Sequence, residues 1–162
     1  MSDPASGRVF HVQPWNPKTE TVAQSIMDAV RQSAPELEVL FMGAAALRLP
    51  GKNDVDMDIL CAVQDVPRYT GRLSALFGEP REQTDKIAAW SFYQDGVEVD
   101  IMLSDPKISH VSKQKRIFEA LQNDSQLYES YRRLKLACDG LPYDEYVVRK
   151  NAFFRQLQDR RA

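Results

Sequence analysis

Asp54-Val55-Asp56-Met57-Asp58-Ile59-Leu60-Cys61-Ala62-Val63 is the stretch that decides the fold. Successive side chains of a strand point to opposite faces. Asp54, Asp56 and Asp58 therefore share one face, and Val55, Met57, Ile59 and Cys61 share the other. The apolar set predicts a strand seated on a core. The acidic set needs a different reason, because aligned like charges repel at close range. A divalent cation removes that penalty, and magnesium in particular favours carboxylates combined with substrate phosphates. The plain alternative is a solvated strand face that happens to be acidic.

Features on either side add weight. Upstream, Leu37 to Met42 (LEVLFM) is a short, mostly apolar strand, and it runs into Gly43-Ala44-Ala45-Ala46-Leu47, a small-residue turn able to open a helix. Twelve residues separate Gly43 from Asp56. A glycine after a strand lets backbone N–H groups approach a phosphate without obstruction. Pro50-Gly51-Lys52-Asn53 then forms a turn. Downstream, Ile87 to Tyr93 and Val97 to Leu103 are strands joined by Gln94-Asp95-Gly96, an Asp-Gly hairpin signal. Val97, Val99, Ile101 and Leu103 form one face of the second strand, so Glu98 and Asp100 occupy the other. If this strand lies beside the first, Asp100 completes a carboxylate cluster and Glu98 sits at its rim.

The rest of the chain reads as helix. Asn16-Pro17-Lys18-Thr19 opens one, with Val22, Ala23, Ile26, Met27, Ala29 and Val30 at helical spacing up to Ala34-Pro35. Pro67 to Phe77 is a short amphipathic helix. Val111 to Gln122, Ser125 to Cys138 and Tyr143 to Leu157 follow, the last two separated by Gly140-Leu141-Pro142. Met1 to Gly7 is small and polar and is expected to fray. His11 and Trp15 are expected to cover the core, and Trp90 and Met102 to pack within it. This order predicts an α+β (mixed α/β) fold with one small sheet and a C-terminal helical tail. We expect a single domain over residues 1–162, with a core at about 19–105 and a tail at about 109–160.

Composition narrows the function classes. Of 162 residues, 43% are hydrophobic and 27% charged, within the ordinary globular range. The formal net charge of -2 disfavours general nucleic-acid binding. Cys61 and Cys138 lie far apart, without metal-ligand spacing, and read as small buried hydrophobes in a reducing compartment. No apolar run is long enough for a bilayer, and no apolar leader is visible, so a cytoplasmic location without membrane association is expected. Lys113, Lys115 and Arg116 cluster near His110 and read as an exposed helix face, with His110 a surface or capping group.

The pattern of apolar strand, glycine turn, acidic strand and later carboxylate resembles the nucleotidyltransferase superfamily. Within it the chain looks like the GrpB family, on Gly43 to Leu47, the Pro50-Gly51-Lys52 turn, the Asp56 strand and the tail pairs Tyr131-x-x-Leu134-Lys135 and Tyr146-x-x-x-Lys150. The resemblance implies a nucleotidyltransferase-like small mixed sheet flanked by helices, with the tail folded over the site. It also implies a nucleoside triphosphate as ligand, ATP foremost, and Mg²⁺ as cofactor, with a two-ion site possible. Gly43 and Ala44 match the phosphate-binding turn. The metal carboxylates fall on Asp54 and Asp56 or on Asp56 and Asp58, and Asp100 matches the third carboxylate, which ligates metal or activates an acceptor hydroxyl. Lys52, Lys135 and Lys150 are the cations available to grip phosphates.

Three readings follow. The first is a Mg²⁺-dependent nucleotidyltransferase acting on an unidentified acceptor. The second keeps the fold and the nucleotide but alters catalysis, because Ala44 stands where the superfamily has Ser or Gly. The third is an unrelated α+β domain with a structural cation.

Overall fold

The computed structural model describes residues 7–161. Of the segment expected to fray, residues 1–6 lie outside the described part. The first helix, α1 (Lys18–Ser33), starts where Pro17 sets a helical φ of −61° and Asn16 Oδ1 accepts from the Lys18 N–H at 2.9 Å. It buries Thr19, Val22, Ala23, Ile26 and Val30, one stripe at helical spacing, and ends at Ala34 before Pro35. Strand β1 (Glu38–Met42) leads directly into a single helical turn, α2 (Gly43–Ala46), and the Pro50–Asn53 turn delivers β2 (Val55–Leu60). A 3-10 turn at Val63–Asp65 precedes α3 (Val66–Phe77). Then come β3 (Glu82–Gln83), β4 (Ile87–Gln94) and β5 (Val97–Ser104), and finally α4 (Val111–Asn123), α5 (Ser125–Ala137) and α6 (Tyr143–Arg161).

The five strands form one mixed sheet in the order β1-β2-β5-β4-β3. Only β2 and β5 run parallel; β1–β2, β4–β5 and β3–β4 are antiparallel. Between β4 and β5, Asp95 (φ 51°) and Gly96 (φ 79°) both take left-handed conformations, as the expected two-residue hairpin requires. The α+β class, the small mixed sheet and the helical tail are as anticipated. Strand β3 was not: its two residues are exposed and carry no apolar alternation.

Parity explains the core. Val55, Met57 and Ile59 of β2, Val99, Ile101 and Leu103 of β5, and Ala88 and Trp90 of β4 meet the buried stripes of α1 and α3. Tyr69 and Leu73 of α3 complete this side. The tail packs through two further clusters. Leu49 joins Leu121 and Tyr131, and Phe10 joins Cys138 and Tyr146. Trp90 packs in the core as expected, while Met102 is only half-buried because it shares the parity of Asp100.

Residues 8–16 form an extended strap. Isolated bridges pair Val9 with Pro142 and Gln13 with Gly51, and Phe10 exchanges backbone hydrogen bonds with Leu141 and Gly140 at 2.8 Å each. Covering the core therefore falls to Phe10 (1% exposed) and Trp15, whose indole N–H donates to the Ala45 carbonyl at 3.1 Å. His11 is exposed instead, because neighbours in an extended segment face opposite ways. Cys138 is buried, while Cys61 is only partly so; both are free thiols. Burial first, then the charges of Asp65 and Asp105, push the Cys61 thiol up to about 11, which keeps it protonated at neutral pH. Among the described residues no helix is long and apolar enough to cross a membrane.

Candidate functional site

The parallel pairing of β2 with β5 sets Asp56 opposite Asp100, and Val55 opposite Val99. One carboxylate oxygen from each of Asp54, Asp56 and Asp100 lies within 4.8 Å of the others, and all three residues are half-buried. The donor set is hard oxygen throughout, which fits a hard divalent cation rather than a softer metal. Asp58 is not one of the three. It shares their face, but its register partners are Leu40 on β1 and Met102 on β5, and only 9% of it is exposed. Burial alone pushes its carboxyl up to about 6. Asp56 is pushed further, to about 7, by burial and then by the negative charges of Asp54 and Asp100, with Lys52 opposing. Glu98 is half-buried and is not one of the three clustered carboxylates.

Gly43 closes the other side. Its φ is +83°, and a Cβ built on it would meet Asp56 Oδ2 at 2.6 Å. No side chain fits there while Asp56 keeps this position. Gly43 and Ala44 begin α2 beside the cluster, and the methyl of Ala44 brings no hydroxyl.

Three lysines from three parts of the chain approach the same region. Lys52 Nζ stands 3.6 Å from Asp54 Oδ2 and 5.3 Å from the centre of the Tyr143 ring. Burial would lower its pKa, but Asp54 chiefly, with Tyr143, Glu98 and Asp56, outweighs that and raises it. Lys135 is 4% exposed and donates from Nζ to the Tyr146 hydroxyl at 3.2 Å. Burial, reinforced by Lys150, brings its ammonium down to about 8, with Asp54 and Asp56 opposing. Lys150 Nζ lies 5.7 Å from the Tyr146 ring centre, and burial lowers its pKa against the pull of Asp56. Tyr131 and Lys135 on α5, like Tyr146 and Lys150 on α6, are four residues apart and so share one face of each helix.

Sequence reasoning did not single out Ser91. It is the register partner of Asp100 on β4, and its hydroxyl donates to Asp100 Oδ1. A serine in a strand gives no signal until its partner is known. The basic residues Lys113 and Arg116 lie on an exposed face of α4, and Lys115 pairs with Glu38 at 3.8 Å. His110 is exposed at the helix start and makes no side-chain cap. Two surface concavities, one along α1 from Glu20 to Gln32 and one between α4 and Leu157–Gln158, contain none of the carboxylates or lysines described above as site residues.

A scan against protein-family models finds no match, and neither does a search of curated proteins. Among solved structures, a cytoplasmic RNA terminal U-transferase superposes with a TM-score of 0.52 at 17% identity. The match covers 76% of this chain and 40% of that one, so the chain spans well under half the length of that enzyme. At this identity the likeness shows the fold alone: the sheet and its flanking helices are arranged like those of that U-transferase. The narrower GrpB resemblance rests on the residues quoted for it in the sequence.

Proposed function

We propose that this protein is a Mg²⁺-dependent nucleotidyltransferase that takes a nucleoside triphosphate and transfers its nucleotidyl group to an acceptor hydroxyl. The observation that carries this reading is the convergence of Asp54, Asp56 and Asp100 within 4.8 Å beside a glycine that tolerates no side chain. Asp54 and Asp56 are the residues to hold the cation, and Asp58, whose register partners are Leu40 and Met102, stands outside the cluster. When bound, magnesium supplies charge neutralisation and alignment of phosphate oxygens. The backbone N–H groups of Gly43 and Ala44 would be the phosphate donors, and Lys52, Lys135 and Lys150 would add positive charge.

The chemistry is an in-line displacement. The acceptor oxygen forms a bond to the α-phosphorus, the bond from that phosphorus to the bridging oxygen breaks, and pyrophosphate leaves with the electron pair. Asp100 takes the hydroxyl proton, and Ser91, by donating to Oδ1, fixes the rotation of that carboxylate. A nucleotide-sensing role is the second reading, favoured by one observation, the missing hydroxyl at Ala44.

The first experiment is thermal stabilisation by each of the four triphosphates, ATP first, with and without Mg²⁺. A specific ligand raises the melting temperature by mass action. Absence of a Mg²⁺-dependent shift at millimolar ligand would refute both readings. Transfer of label from the α-phosphate to an added acceptor separates the enzyme from the sensor.

A further inference from the structure

Lys135 is a buried cation with no salt-bridge partner among the described residues. Its ammonium has three hydrogens to donate. Among the described residues it makes one side-chain hydrogen bond, to the neutral Tyr146 hydroxyl, and no ion pair within 4.0 Å. Three aromatic rings flank it: Nζ lies 5.6 Å from the Phe10 ring centre and 5.4 Å from those of Tyr131 and Tyr146, and the charges of Lys150, Asp54, Lys52 and Asp56 act on it from further off. Isolated charges are costly to bury, and ring faces offset only part of that cost. Such a group is set up for an anion that arrives from outside.

Its direction is fixed as well. A Cβ on Gly51 would meet Lys135 Nζ at 3.2 Å and Cε at 3.3 Å, so the side chain lies against the Pro50–Asn53 turn at Gly51, three residues before Asp54. Phe10 stacks on Tyr146 with ring centres 3.7 Å apart and planes within 3°. Tyr146 is in turn within 3.3 Å of the Tyr131 hydroxyl. The strap bonds Gln13 to Gly51 in both directions, at 2.8 and 2.9 Å, and Phe10 to the α5–α6 turn. One short segment thus holds the ring that closes the cage and the turn against which the lysine rests.

We propose that Phe10 and Tyr146 are positioning residues for the triphosphate, acting through Lys135 by holding its ammonium against the Gly51 turn and toward the carboxylates. This rests on the reading above that Lys135 grips phosphate. The strap is then part of the nucleotide site although none of its side chains need touch the ligand.

The test measures binding of inorganic tripolyphosphate with Mg²⁺ by calorimetry to the full chain. It compares the unmodified protein with Phe10→Leu, Tyr146→Phe, Lys135→Met and the double variant Phe10→Leu/Lys135→Met, with a thermal melt of each. Phe10→Leu and Tyr146→Phe are each expected to weaken binding about tenfold. In the Lys135→Met background Phe10→Leu is expected to add no further loss, although it still lowers the melting temperature. A purely structural Phe10 would weaken binding equally in both backgrounds, and that result overturns the proposal. So does loss of binding in Lys135→Met with unchanged affinity in Phe10→Leu and Tyr146→Phe, which leaves the phosphate role of Lys135 intact. Unchanged affinity in Lys135→Met removes that role and the proposal with it, and no binding by the unmodified protein removes the triphosphate site itself. If Phe10→Leu does not fold, Tyr146→Phe, which deletes a single oxygen, decides the question by its own Kd.

Discussion

Asp56 and Asp100 stand directly opposite each other across the parallel pair β2–β5, two carboxylates at matched positions on the same face of the sheet. Like charges placed so are destabilising, and burial of Asp56 worsens the balance. The cation-free protein therefore carries strain at the position that a site of this kind needs. Asp56→Asn keeps the shape and removes one charge. We predict that it raises the stability of the metal-free protein at pH 8 by about 1–3 kcal/mol and abolishes the Mg²⁺-dependent nucleotide shift. Chemical denaturation in chelator, paired with the thermal assay, checks both halves; a destabilised variant would show that the repulsion is already relieved by other means.

The pH dependence follows with a definite sign. The Asp56 carboxyl is raised from 3.8 to about 7 in the folded protein, so between those values the folded state binds more protons than the unfolded. Its contribution to stability is present below pH 3.8 and is lost as pH rises through 7. Asp58, raised to about 6 by burial, acts in the same direction. Magnesium requires the ionised form, so the stabilisation it gives should be small at pH 5.5 and full at pH 8. Melting curves with and without Mg²⁺ across that range measure this. An equal metal effect at both ends would place binding away from Asp56.

Gly43 gives a prediction that depends on its neighbour. Gly43→Ala forces a side chain into a left-handed backbone and sets its Cβ 2.6 Å from Asp56 Oδ2. We expect a loss of about 1–3 kcal/mol. In an Asp56→Ala background the carboxylate oxygen is gone and the nearest remaining atom, the Cβ, is 3.4 Å away, so the loss should shrink to the backbone cost alone. A double-mutant cycle by denaturation reads the difference. Additive losses would mean that Asp56 simply turns aside.

Much of this was legible in the sequence because it depends on local rules. Parity placed the aspartates on one face and Val55, Met57 and Ile59 in the core; the Asp-Gly turn placed the hairpin. What parity cannot do is separate Asp54 from Asp58, which lie symmetrically about Asp56. Only the pairing across β2–β5 and β1–β2 does so, by giving Asp58 the apolar partners Leu40 and Met102. Ser91 was invisible for the same reason, since its meaning comes from being opposite Asp100. The roles of Phe10 and the strap also depend on contacts more than a hundred residues away in sequence, with Leu141 and Tyr146. Strand β3, a two-residue exposed edge, has too little apolar pattern to register.

Lys135 separates stability from function. Its ammonium is lowered from 10.5 to about 8, mainly by burial, so between those values the unfolded chain binds more protons than the folded one. Stability from this group therefore rises as pH climbs from 8 to 10.5, and below pH 8 the whole penalty is present. The shift sets a ceiling of about 3 kcal/mol on that penalty. Lys135→Met fills a similar volume without the charge, at the loss of the ring contacts and the bond to Tyr146. We predict a net gain of about 1–2 kcal/mol at pH 7, loss of the rise in stability between pH 8 and 10.5, and weaker triphosphate binding. Denaturant midpoints at pH 7 and pH 10 measure the first two. A variant less stable at both pH values would mean that the aromatic cage already compensates the buried charge, and that Lys135 is held for stability rather than for a ligand.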